Sequence, residues 1–264
     1  MTILADQNVR VIVQGITGRE ASTFTKDMMD YGTHVVAGVT PGKLGQTVHG
    51  VTVYDTVRRA LKEHPAEASV ISVPPALVKD AVIEALENGI KLVVVISERV
   101  PRKDTIEFLE VANENKARVI GPNTLGLISP EKVKLGMAGG PVGDVKKAYM
   151  PGFVGIASRS GGMTTEVANL LTANGIGQST CIGIGGDPVV GSNFLDLIPL
   201  FENDPETKVV VLFSEPGGVI EEKLSELVMA EKYQTPIIAF IAGRFVDDMP
   251  GVRSVSYTHL TLPT

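Results

Sequence analysis

The chain has 264 residues, a length that suggests two domains of about 100–150 residues each, and its 44% apolar and 20% charged content is ordinary for a globular protein. A net charge of −6 argues against a general nucleic-acid or anionic-membrane surface, so any anionic ligand has to be held by local geometry. The lone cysteine, Cys181, rules out an internal disulfide framework. The N-terminus lacks a charged-then-apolar leader pattern, and the longest apolar runs fall far short of the ~20 residues of a bilayer span, so a cytoplasmic protein is expected.

Short β-branched runs alternate with helical patterns. Residues 9–14 read as a strand, 19–31 as a helix, 34–39 as a strand, 56–63 as helical and 68–73 as a strand. A helix over 75–88 ends at Gly89, a C-cap residue, and a strand at 91–96, a helix at 103–115 and a strand at 118–120 follow. This alternation, with nearly continuous apolar strands, predicts a parallel sheet covered on both faces: a doubly wound, nucleotide-binding type of domain over residues 1–127. The Gly-, Pro- and Lys-rich stretch 128–151 reads as a linker. The alternation restarts with strands at 152–157, 179–184, 209–214 and 236–241 and helices at 163–174, 192–203 and 219–231. The rhythm of this second α/β domain, 152–253, is flavodoxin-like, and its sheet is expected to stop after its fourth strand.

In an open parallel sheet ligands bind beyond the carboxyl ends of the strands, so the loops after the strands carry the chemistry. After the first strand, Gly15 and Gly18 let the backbone approach a ligand, Thr17 adds a hydroxyl, and the helix opening at Arg19 and Glu20 points N–H groups at an anion. A bare glycine turn is the competing reading. After the second strand an NAD-binding domain would place a carboxylate; here Thr40-Pro41-Gly42-Lys43 offers a cation instead, suited to a ribose phosphate, or simply a surface lysine. The fourth strand ends in the polar cluster Ser97-Glu98-Arg99, and the fifth in Gly121-Pro122-Asn123-Thr124, a shaped loop in which Asn123 offers a donor and an acceptor or satisfies its own turn. In the second domain Ser158-Arg159-Ser160-Gly161-Gly162 joins a strand to a helix start, an arrangement that binds phosphate. Glu215 follows a later strand and either holds a histidine or phosphoryl carrier or is an exposed turn residue. His34, His49, His64 and His259 are scattered, so no metal site is expected, and neither a P-loop nor a G-x-S-x-G elbow is present.

Gln14–Gly18, Val39–Lys43, Gly121–Asn123, Ser158–Gly161 and above all the string Gly177–Phe194 closely resemble the α subunit of succinyl-CoA synthetase, in order, over about residues 1–253. The resemblance implies an acid–CoA ligase α subunit with an N-terminal Rossmann-like CoA-binding domain and a flavodoxin-like ligase domain. It implies a partner β subunit of ATP-grasp fold that uses ATP or GTP with Mg, a small carboxylic acid substrate, and a phosphohistidine intermediate, imidazole being both nucleophile and leaving group near neutral pH. Carried over to this chain, Thr17, Gly18, Arg19 and Glu20 contact CoA, Lys43 meets its adenosine-phosphate end, and Ile96, Ser97 and Glu98 flank its body. Asn123 belongs to the same CoA set. The Ser160/Gly161 helix start receives the phosphohistidine phosphate, and Glu215 orients the imidazole.

The chain departs from the family pattern in places. Thr124 stands where many members have Cys, and Thr165 and Glu166 precede Val167 where a Tyr is frequent, which leaves malate or another small acid open beside succinate. After Arg253 the family runs into a histidine followed by Ala-Gly, whereas here residues 254–264 read as a non-native tail in which His259 takes no phosphohistidine role. On this reading the second domain is incomplete at its C-terminus, its sheet edge is open, and the chain alone is inactive. A non-catalytic CoA- or nucleotide-sensing module of the same fold is the alternative, with a dehydrogenase a distant third for want of an acidic ribose partner.

Overall fold

A computed structural model describes residues 3–215 and 220–242. The Pro216–Gly218 loop, residues 243–253 of the second domain and the tail with His259 lie outside the described residues.

The first half is built from β1 (Arg10–Gln14), α1 (Arg19–Tyr31), β2 (His34–Val39), β3 (Thr47–Val48), β4 (Val51–Tyr54), α2 (Val57–Glu63), β5 (Ala68–Ile71), a 3-10 turn (Pro75–Leu77), α3 (Val78–Glu87), β6 (Leu92–Val95), α4 (Arg102–Glu114) and β7 (Arg118–Ile120). Its strands form one sheet in the order β3-β4-β2-β1-β5-β6-β7, parallel except for the β3–β4 pair. The alternation of side chains across the strands sorts two cores. Ile12, Ile71, Val93 and Val95 face α2, α3 and α4 with Val57, Val82, Leu86 and Phe108. Val11, Val13, Val70 and Val94 face the other way, with Phe24 and Met28 of α1. The helix caps follow their sequence: the Thr56 side chain accepts from Arg59 N, and Gly32 ends α1 at φ +105. The β3–β4 hairpin was not foreseen; residues 47–54 are short and mostly polar on one face, without a strong period.

The second half contains β8 (Gly126–Ser129), β9 (Val133–Gly136), α5 (Val142–Ala148), β10 (Pro151–Ser158), α6 (Gly161–Ala173), β11 (Gln178–Gly183), α7 (Phe194–Glu202), β12 (Val209–Ser214), α8 (Ile220–Met229) and β13 (Ile237–Ile241). Its sheet runs β13-β12-β10-β11-β8-β9. The four parallel strands are those expected, but the sheet does not stop there. The stretch 128–151, expected as a linker, is an antiparallel hairpin and a helix, and β8 adds antiparallel to β11 through Cys181↔Ile128 and Ile182↔Leu127. Its glycines are turn and close-approach positions within folded structure: a Cβ on Gly126 would sit 1.9 Å from the Leu135 carbonyl oxygen. Asn193 caps α7 in a capping box with Asp196. At the other end of the sheet order, β13 leaves Ile238, Phe240 and Ile241 exposed.

The two halves share one core. Leu127, Leu135, Ile182, Phe194, Leu197 and Phe201 belong to the same buried cluster as Val11, Val13 and Met28. Within this junction Lys134 of β9 is fully buried, its ammonium donating to the Gly140 carbonyl, while Thr33 Oγ1 donates to the Lys134 carbonyl at 2.8 Å. Burial lowers the Lys134 pKa to about 8, with Asp27 opposing the shift. A lysine in the unfolded chain holds its proton to about 10.5, so unfolding takes up a proton between these values and stability rises with pH there. Urea denaturation should therefore show wild type gaining on Lys134→Met between about pH 8 and about 10.5, a gain absent if the ammonium keeps its ordinary pKa.

Candidate functional site

β2 and β5 flank β1 on opposite sides, so the loops leaving their carboxyl ends diverge and a crevice opens at this switch point. A cleft of about 410 Å3 lies there, lined by Gln14, Gly15, Thr17 and Gly18 after β1, Val39, Thr40 and Pro41 after β2, Ser72, Val73 and Pro74 after β5, and Asp80 and Glu84 of α3. A second hollow of about 390 Å3 shares Gly18, Ser72, Val73 and Pro74 and continues past Arg19 and Glu20 to Ser97, Glu98 and Arg99.

The turn after β1 is tight: Gly15 N donates to Val39 O at 2.8 Å and Gly18 N to Gly15 O at 2.8 Å. Gly15 sits at φ +80, and a Cβ there would lie 2.1 Å from Ser72 O. Gly18 is the N-cap of α1 and brings no capping side chain, so the first-turn N–H groups stay available to a ligand. Thr17 Oγ1 bonds Thr40 Oγ1 at 3.3 Å, and Ser72 Oγ donates to Glu20 at 3.3 Å. Ser97 Oγ donates to Val73 O at 2.6 Å and accepts from Val73 N at 3.1 Å, stapling two loops together. Ile96 is buried beneath them. Lys43 is exposed in the turn beyond Pro41 and lines neither hollow; the N–H groups of its neighbours Gly42 and Leu44 donate to Asp55. The larger cleft is lined by two carboxylates and no cation, and burial pushes the Glu84 carboxyl up although it accepts from Val57 N at 2.7 Å. An anion here would depend on backbone N–H groups and on cations at the rim.

The second rim lies at the ends of β10, β11 and β12, where Ser158 pairs in register with Gly183 and Phe213. Ser158 is fully buried: its hydroxyl donates to Ser160 O at 2.8 Å and accepts from Ser160 N at 3.1 Å, so it braces the loop from inside. Arg159 is also buried, its Nη2 donating to Asp187 O at 3.0 Å. Ser160 caps α6 by accepting from Met163 N, and Gly161 and Gly162 leave that helix start accessible. Glu215 follows directly after β12, one strand over, and is half-buried. Thr165 Oγ1 pairs with the Tyr149 hydroxyl at 2.8 Å, away from the loop.

Asn123, at φ +59, joins the rims. Its N–H donates to Ser97 O at 2.9 Å, its carbonyl accepts from Gly186 N at 3.1 Å, and its Nδ2 donates to Asp187 Oδ1 at 3.0 Å. Thr124 is buried and hydrogen-bonded to Gly183 O, a structural position. The structure thus places Arg19, Glu20, Ser97 and Glu98 around the second hollow and Thr17 on the first, with Gly18 shared by both. Ser160, Gly161 and Gly162 lie on the second rim. Thr40 and the Ser72–Pro74 loop also line the hollows and Asp187 bridges the rims, although the sequence did not single them out; Ser72 and Val73 fall within the strand expected at 68–73, which ends at Ile71. Among the described residues no His, Cys, Asp and Glu cluster could hold a metal, and no helix is long and apolar enough to cross a membrane.

The family models for a CoA binding domain and for CoA-ligase match residues 6–99 and 157–260, so the chain combines a CoA-binding unit with a ligase unit. It is 46% identical to the succinate–CoA ligase [ADP-forming] subunit alpha 1 of Archaeoglobus fulgidus, over 96% of this chain and 84% of that protein. It is 45% identical to the ADP-forming sulfoacetate-CoA ligase subunit SqwL of an Acholeplasma species, over 92% of this chain and 81% of that one. The structure of ATP citrate lyase from Methanothrix soehngenii in complex with citrate and coenzyme A superposes with a TM-score of 0.88 at 26% identity, covering 96% of this chain; this chain spans 43% of that one. The chain belongs to the family of ADP-forming acid–CoA ligase α subunits.

Because Gly15 combines a left-handed backbone with a carbonyl contact, Gly15→Ala should destabilise the protein by about 1–3 kcal/mol. A urea midpoint equal to wild type would show that the turn relaxes without cost.

Proposed function

We propose that the chain is the CoA-binding subunit of an ATP- or GTP-dependent acid–CoA ligase that works with an ATP-grasp β subunit holding the Mg-bound nucleotide. The observation that carries the reading is the uncapped start of α1 opening onto the two adjoining hollows, together with a second accessible helix start at Ser160–Gly162. In this reading Thr17, Gly18, Arg19 and Glu20 take the CoA diphosphate and Lys43 its adenosine-phosphate end. Ile96, Ser97, Glu98 and Asn123 flank the pantetheine arm. In this arrangement the phosphates would lie against the α1 N–H groups and beside Arg19 and Arg99 of the smaller hollow, while the apolar arm runs past Val73 and Pro74.

At the second rim, the helix start at Ser160, Gly161 and Gly162 receives the phosphoryl group of a phosphohistidine, with Ser158 and Arg159 bracing the loop and Glu215 orienting the imidazole. The phosphoryl group passes from imidazole nitrogen to the acid's carboxylate. The CoA thiolate then attacks that carbonyl and phosphate leaves. The acid is a small carboxylic acid; succinate and sulfoacetate appear in the relatives' names, and malate remains compatible with Thr165 at a position where the family often has Tyr.

Calorimetric titration with CoA, 3′-dephospho-CoA and NAD tests the CoA site. CoA should bind, and removing the 3′-phosphate or introducing Lys43→Glu should each weaken it about tenfold, equivalent to ~1.4 kcal/mol. Preference for NAD, or no CoA binding, would sink the assignment.

A further inference from the structure

Asp187 lies half-buried in the loop after β11, on the second rim. Its side chain accepts from Asn123 Nδ2 at 3.0 Å, the backbone amides of Arg99 and Val100 face its carboxylate, and its own carbonyl accepts from Arg159 Nη2 at 3.0 Å. One residue thus touches the wall of the smaller hollow, the Asn123 loop and the Ser-Gly loop. Arg99 needs such an anchor: it holds φ +58, a left-handed conformation that a non-glycine residue adopts only under outside restraint.

We infer that Asp187 is a positioning residue whose ionised carboxylate fixes residues 97–100 against Asn123 while its backbone fixes Arg159, so that the two rims are set as one unit. Its meaning for CoA rests on the ligase reading; the coupling itself does not. Of the charged groups around Asp187, Glu98 repels its carboxylate and Arg159 bonds its carbonyl, while the Arg99 guanidinium lies 3.6 Å from Glu98. Burial raises the Asp187 pKa above the usual carboxylate value, against the donors that hold it down. A raised carboxyl pKa means that ionising Asp187 costs more in the folded chain than in the unfolded one, so removing the charge should not by itself lower stability.

Asp187→Asn keeps the shape and removes the charge. The melting temperature should stay equal or rise. Hydrogen exchange in the free chain should quicken about tenfold at amides 97–100 and 159–162, the scale of one charge-assisted hydrogen bond. CoA affinity should fall by a similar factor. As pH drops through the Asp187 pKa, wild type becomes neutral too, so its exchange ratio to the variant at each pH should close towards one. Adding Arg99→Gly, which relieves the left-handed strain, should restore slow exchange at 97–100 but not at 159–162. Unchanged exchange in both loops, or a lower melting temperature with all amides quickened alike, would overturn the inference. Failure of the wild-type chain to bind CoA would remove the ligase reading and leave the exchange comparison to decide the coupling.

Discussion

Everything at the site depends on how closely two stretches of main chain approach each other. Gly121 N donates to Ile184 O, Gly186 N to Asn123 O and Gly191 N to Gly121 O, so the loop after β7 is woven into the loop after β11. A Cβ on Gly121 would meet Val95 O at 2.4 Å, and one on Gly185 would meet Pro122 O at 2.2 Å. Only hydrogen fits at these crossings, and no rearrangement of flexible side chains could make room for more. The weave ties the carboxyl end of β7 in the first sheet to that of β11 in the second, and it does so with main-chain bonds that do not shift with side-chain rotamers.

The apolar interior supports the same geometry. Met28 and Phe24 of α1 and Leu135 of β9 belong to a single buried cluster that continues to Phe194 and Phe201 of α7. Burial on this scale is the dominant favourable term in folding, and because the cluster crosses from one sheet to the other, separating them would expose it. Among the polar residues here Thr33 serves the Lys134 carbonyl, whereas the Thr25 hydroxyl of α1 is buried without a hydrogen-bond partner; on the α3 side of the first sheet Gln14 donates to Ser69 Oγ and Ala81 O. Charge is placed sparingly there, and where it occurs, at Lys134 and Asp187, burial displaces its ordinary protonation equilibrium.

The fold was legible where a strand carries a run of consecutive apolar residues. Residues 34–39, 118–120 and 209–214 coincide with β2, β7 and β12, because β-branched runs bounded by turn residues have no competing period. It was illegible over 128–151, where glycine and proline suggested a linker and the chain forms a hairpin, a helix and the start of β10. Composition records the turns; it does not record that Gly126 and Gly136 are glycine because strand lies on strand. The glycine turn at 15–18 and the helix start at Ser160 could be read from the sequence, since their chemistry is local. The inward roles of Ser158 and Arg159 could not, because burial is set by the neighbouring strands β11 and β12. Lys43 shows the same limit: its place after the second strand was right, yet its side chain stands outside the hollows.

The chain has a single sulfhydryl, Cys181, buried without exposure in β11, where the apolar surroundings push its pKa up and keep it protonated. Thr124, at the loop between the rims, contributes a hydroxyl engaged with Gly183 O. On the ligase reading proposed above, this chain offers no accessible cysteine thiol to compete with CoA for an activated acyl group. With CoA bound, the nucleophilic sulfur in the cavity belongs to the ligand, so a thiol-selective electrophile would report the ligand's occupancy and leave the folded polypeptide unlabelled.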